Sequence, residues 1–149
     1  MKPLIVLLLV FAISLIGFKL SKGTFELAEA GRIAMSAMLL FTAIGHFAFS
    51  KGMAMMVPDF IPNKVAVVYL TGLLEVAAAI GLFVPALRVW TGWLLILFLI
   101  LVLPANIQAS IKQINYQKGT LDGPGLSYLW FRVPLQMLFI AWTYLVAVR

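Results

Sequence analysis

"YLTGLLEVAAAIGLFVP", residues 69–85, decides what kind of protein this is. Apart from Tyr69, Thr71 and Glu75, its residues are apolar, glycine or proline. The run is continuous rather than alternating, so it reads as a helix surrounded by lipid and not as a half-buried strand. Glu75 sits near its middle. A carboxylate in hydrocarbon is expensive unless something solvates, pairs or protonates it, so the residues that keep Glu75 company become the functional question.

The rest of the chain has the same character. Of its 149 residues 64% are hydrophobic and only 11% are charged, and mean hydropathy is +1.09. Soluble domains are about half apolar, so this composition calls for a bilayer, and the length suffices for one small bundle. The net charge of +6 comes from basic residues lying between or at the ends of apolar runs, where they anchor headgroups. No basic cluster is interleaved with aromatics, and nucleic acid is not an expected partner. The absence of cysteine excludes disulfides, thiol catalysis, iron–sulfur clusters and cysteine zinc sites. A single histidine excludes bis-histidine haem within one chain. There is no glycine-rich phosphate loop, no flavin motif, no G-x-S-x-G and no H-E-x-x-H. Met53, Met55 and Met56 follow His46 with thioethers of the kind copper(I) takes, but methionine is equally an apolar filler, and no metal site is expected.

Outward from Glu75, five apolar segments fall at about residues 4–20, 32–50, 65–84, 89–109 and 128–148, each near the ~20 residues of a spanning helix. Backbone groups in lipid must be satisfied internally, which selects helices, and the absence of alternation argues against a barrel. The first run follows Met1 and Lys2. A short apolar run behind a positive start also fits a signal peptide, but no small-residue cleavage site follows, and a retained span is the expectation. Glu26 and Glu29 precede Arg32 in a stretch that reads as a helix start running into the second span. "SKGMAMMVPDFIPNK", residues 50–64, is too short and too proline-broken to span, yet too apolar for a free loop, so it should lie in the interface or fold back over the bundle. "VPALR" makes spans three and four an antiparallel hairpin, and "KQINYQKGTLDGPGLS" is a polar loop. Basic residues divide almost evenly between the two sides, leaving orientation open.

Antiparallel order puts the polar residues of four spans in one half of the membrane. At about 1.5 Å per residue, His46 and Arg132 lie about 6 Å deep, Asn106 about 5 Å, Gln136 about 12 Å and Glu75 about 15 Å. Arg132 and Gln136 share one helix face, as do Thr42 with His46 and Thr71 with Glu75, each pair four residues apart. Gly72 and Ala79 flank the Glu75 face and allow close helix approach. Pro104 before Asn106 loosens its helix, as suits a cavity wall. These residues predict a polar pocket with Glu75 at its floor, Arg132 as its first counter-charge and His46 as its second.

The stretches "AGRIAMSAMLLFTAIGHF", "MVPDFIP", "YLTGLLEVAAAIGLFVPALRVWTGW", "LPANIQAS" and "RVPLQMLFIAW" in this order resemble the DoxX-like family of small bacterial membrane proteins, over roughly residues 30 to 145. The resemblance implies a core of four transmembrane helices, with residues 1–31 as an additional N-terminal helix and linker and 32–149 as the core. It implies a multi-pass protein of the bacterial inner membrane, with the arginine-bearing side toward the cytoplasm and the pocket toward the periplasm. Members of the wider group include a subunit of a thiosulfate:quinone oxidoreductase, partners in membrane oxidoreductase complexes and proteins linked to the assembly of others. His46, Pro58, Glu75, Pro104, Asn106, Arg132 and Gln136 match the family's positions.

The expectation is therefore an all-α integral membrane protein: a four-helix transmembrane bundle plus one N-terminal transmembrane helix. Its leading functional reading is a membrane subunit of a redox system. His46, Glu75, Asn106, Arg132 and Gln136 would form a ligand pocket for a quinone or other small amphipathic molecule. Glu75 would carry a proton tuned by Arg132, with the amides and histidine orienting the ligand. A protein partner or the quinone pool would supply electrons. The alternative is a non-enzymatic assembly factor or chaperone for another membrane protein, with the polar cluster as packing glue. A carrier fits less well, because no internal repeat is present.

Overall fold

The computed structural model describes residues 1–149. It is all-helical, without strands; one isolated bridge joins Asn115 and Thr120 in a loop. The chain runs α1 (Lys2–Lys22), α2 (Leu27–Ala48), α3 (Ser50–Ala54), α4 (Lys64–Gly81), α5 (Arg88–Leu101), α6 (Leu103–Ile111) and α7 (Leu129–Thr143), with a 3₁₀ turn before α7 and a π-helical turn after it. Five stretches are long and apolar enough to cross a membrane: Lys2–Lys22, Leu27–Ala48, Lys64–Gly81, Arg88–Ile111 and Leu126–Val148. The 22 residues of α2 span about 33 Å, matching a hydrocarbon core of about 30 Å.

Local chemistry sets the helix ends. Gly23 terminates α1 in the left-handed region (φ 74°), its N–H returning to the Lys19 carbonyl at 3.1 Å, as a glycine C-cap does. The second span starts at Leu27, earlier than the expected residue 32, because the acidic stretch ahead of Arg32 is helical. The fourth span breaks between α5 and α6, and Pro104 lies in the first turn of α6, where its missing N–H is tolerated. That break is the loosening anticipated at "LPANIQ".

Four spans form a square. α2 packs on α4 and α7, and α5 packs on the same two, so α4 and α7 stand on a diagonal. α1 lies along the outer face of α2 with one fully buried side chain, Leu7, and Phe11 meets Trp142 of α7 edge to face at 4.8 Å. The core is a cluster around Leu7, Met35, Leu39, Leu82, Leu95 and Phe139. Only 30 of 149 residues are buried; the outward Leu, Ile and Phe side chains would be untenable in water and are solvated by lipid. Small residues bring the backbones together: a Cβ on Gly72 would lie 2.9 Å from His46 Cβ, and one on Gly92 2.9 Å from Ala147 Cβ.

The 50–63 segment folds back over one end of the bundle, as expected. Ala54 and Val57 are buried against Val68. Gln108 of α6 donates to the carbonyl of Val57 at 2.9 Å. Phe49 meets Tyr116 edge to face, and Gly52 sits so close to Tyr116 that a Cβ would overlap its carbonyl oxygen. Asp59 accepts from Lys64 at 2.7 Å and from Lys112 at 2.9 Å. Those two lysines hold its carboxyl down to a pKa of about 2. The segment and the 112–127 loop thus form one cap over the bundle end.

Candidate functional site

Under this cap lie the polar groups. Glu75 is 7% exposed and points from α4 toward α2, where His46 Nε2 stands 3.4 Å from its Oε2. That oxygen is buried and has no hydrogen-bond partner, so the contact is a close approach rather than a formed bond. On the other side of the ring, Nδ1 lies 3.0 Å from the Val68 carbonyl and 3.0 Å from Thr71 Oγ1. Thr71 itself donates to the Val68 carbonyl at 2.8 Å.

This network assigns the imidazole tautomer. The Val68 carbonyl can only accept, so Nδ1 carries a proton and shares it with the carbonyl and the threonine oxygen. Nε2 is then left facing Glu75. Glu75 Oε2 and His46 Nε2 thus face each other in the bundle interior, and a proton or a hydroxyl placed between them can bridge the two.

The expected pairing of Glu75 with Arg132 is not formed, and this corrects the order of partners read from the sequence. The physical reason is the square packing: α4 faces α2 and α5, while Arg132 is carried by the diagonal helix α7. Arg132 instead donates to Asn106 Oδ1 of neighbouring α6 at 2.7 Å. Gln136, one turn on, donates to the Leu99 carbonyl of α5, and both Asn106 and Gln136 are buried. The five sequence-selected residues thus resolve into a His46–Glu75 pair supported by Thr71, an Asn106–Arg132 pair, and Gln136 bound to backbone.

α1 begins at this same end. The Met1 amino group lies near Arg132, and partial burial, then Arg132, then Lys2 lower its pKa below the usual range. Two recesses lie elsewhere. One of ≈ 380 Å³ is wholly apolar, between α5 and α7; the other, ≈ 250 Å³, is at the opposite end of the bundle.

Sequence reasoning missed Gln108 and Asp59, which tether the cap to α6 and α4. Asp59 had a signal: it is the one acid in the proline-broken segment, with Lys64 five residues on. Gln108 had a weaker one, a second amide two residues after Asn106.

The model of a family described as "Domain of unknown function (DUF8561)" matches residues 35–147; the matching model is this one and not a DoxX one. The match begins within α2 and leaves α1 outside. No curated protein and no solved structure matches the chain.

Proposed function

We propose that this chain, which belongs to the DUF8561 family, is a small multi-pass membrane subunit of a redox system. Its His46–Glu75 pair is the proton-handling centre of a site for a quinone or a similar amphipathic molecule. The observation that carries the reading is the buried Oε2 of Glu75, without a hydrogen-bond donor and 3.4 Å from the imidazole. Intramembrane acids with no structural bond are functional by default.

The pair's chemistry suits that role. A ligand hydroxyl could donate to Oε2, and a ligand carbonyl could accept from Nε2 or the carboxyl. Quinone reduction consumes two electrons and two protons; one proton would pass through the His46–Glu75 pair, the second would come from water at the cap end, and the electrons would come from a protein partner. Thr71 and the Val68 carbonyl are positioning groups that keep Nδ1 protonated. Asn106 and Arg132 hold each other beneath the cap, and Gln136 ties α7 to α5. The resemblance to DoxX-like proteins supports the redox assignment and an inner-membrane location. The family match starting at residue 35 supports reading α1 and its linker as an addition to a four-helix core.

A second reading has its own support. Asn106, Arg132 and Gln136 are each bonded across helices, as packing glue in an assembly factor would be. One experiment separates the two. Purified protein is titrated with a short-chain quinone analogue alongside Glu75→Gln, with melting temperature as a control. The redox reading expects at least tenfold weaker binding in the variant with little change in stability. No binding to wild type, with a strongly destabilised variant, would reject it in favour of glue.

A further inference from the structure

The end of the bundle opposite the cap holds a second polar feature. A recess of ≈ 250 Å³ lies between the start of α2, the α4–α5 turn and the C-terminal turn, and Arg32, Arg88 and Arg149 line it with Pro85, Val89 and Leu145. Two of the guanidiniums are held in place by one bond each. Arg32 Nη1 donates to the Val146 carbonyl at 3.1 Å, and Arg88 Nε donates to the Leu82 carbonyl at 3.3 Å. Their remaining N–H groups have no protein acceptor, and none of the three arginines is in an ion pair. Arg32 and Arg88 are near enough to repel each other. Glu29 is near enough to attract Arg32 but is itself paired with Lys22 at 3.5 Å.

Three like charges converging on one concavity, with their forks partly unspent, are a standing unfavourable arrangement unless an anion neutralises them. Arg32 lies little more than a turn into α2 and Arg88 opens α5, which places the recess at headgroup depth. Trp90 and Leu87 beside it are exposed on the bundle's outside, where they face the interface and the upper acyl chain. We propose that this recess binds the phosphate of an anionic phospholipid. The arginines grip the oxyanion, and Pro85, Val89 and Leu145 contact the glycerol and the first methylenes. The oxyanion chemistry is shared with free phosphate. The lipid is the source because the recess opens among apolar, lipid-facing residues.

Native mass spectrometry of the full chain in detergent tests this, with equal amounts of phosphatidylglycerol and phosphatidylcholine and, separately, millimolar inorganic phosphate. Expected are one retained phosphatidylglycerol, a higher melting temperature with that lipid, and no stabilisation by phosphate. Each arginine removed should lower the preference for phosphatidylglycerol roughly five-fold. Arg149→Gln serves where Arg32→Gln or Arg88→Gln fails to fold, because Arg149 is exposed and its side chain makes no bond in the protein. Equal retention of both lipids, an unchanged preference in Arg149→Gln together with any folded Arg32 or Arg88 variant, or equal stabilisation by free phosphate would overturn the proposal.

Discussion

Replacing His46 with alanine leaves the Glu75 carboxyl buried without the imidazole 3.4 Å from Oε2, and the size of that effect tests the His46–Glu75 pair. Two losses add. Breaking a buried pair by removing one partner costs about 3–5 kcal/mol, mostly the burden on the group left behind. Losing the Nδ1 bonds to Val68 and Thr71 adds about 1 kcal/mol. The unfolded reference inside a micelle finds some replacement partners, which pulls the total toward about 4 kcal/mol. Glu75→Gln should behave differently: its amide N–H can donate to the Nε2 lone pair, so it costs about 1 kcal/mol or less. In the Glu75→Gln background, His46→Ala strands only a neutral amide and should cost about 2 kcal/mol. The double variant is then more stable than His46→Ala alone, a rescue of about 1 kcal/mol, with a coupling energy near 2 kcal/mol. Unfolding by denaturant titration in mixed micelles, followed by circular dichroism, measures all four corners of the cycle. Additivity within about 0.5 kcal/mol would refute the pair as an energetic unit.

Three further outcomes follow from the packing and the cap. Gly72→Ala places a Cβ 2.9 Å from His46 Cβ and 3.3 Å from Phe47 Cε2; prying α4 from α2 should destabilise by about 1–3 kcal/mol, read in the same micelle titration. Gly52→Ala drives a Cβ into the Tyr116 carbonyl and should release the cap, seen as faster hydrogen exchange in residues 112–120 with the spans unchanged. Asp59, held to a pKa of about 2 by Lys64 and Lys112, is a depressed carboxylate: its contribution is present above the ordinary carboxylate range and is lost as pH falls through about 2. Its carboxyl ¹³C resonance should titrate near that value, and Asp59→Asn should loosen the cap at neutral pH; a midpoint near 4 would contradict the two lysine bonds.

How much of this was legible beforehand differs from residue to residue. Glu75 announced itself because a charge inside an unbroken apolar run has no cheap explanation, and His46, Thr71 and Gly72 were placed on useful faces by helical spacing alone. Pro104 marked the α5–α6 break because proline lacks the N–H that a continuous helix needs. The cap was foreseen only as a segment folding back; the Gly52–Tyr116 contact and the Asp59 lysine bonds join parts of the chain too far apart for spacing to connect. The exchange of Arg132 for His46 as the partner of Glu75 has the same origin. Depth along a membrane normal follows from counting residues, whereas the neighbour across an interface depends on which helices adjoin.

The amino-acid order by itself settled that this chain is a set of lipid-facing helices, and it gathered the buried acid and amides, Glu75, Asn106 and Gln136, toward one end, whereas the buried hydroxyls of Ser36 and Thr143 lie toward the other. Hydrophobicity and backbone hydrogen bonding act within each segment and need no knowledge of its neighbours. Only the packed bundle decided that α4 and α7 are diagonal, that Glu75 meets a histidine and Arg132 an asparagine, and that three arginines converge at the far end. Those pairings are set by small-residue contacts between separate helices, and such contacts exist only once the helices have come together.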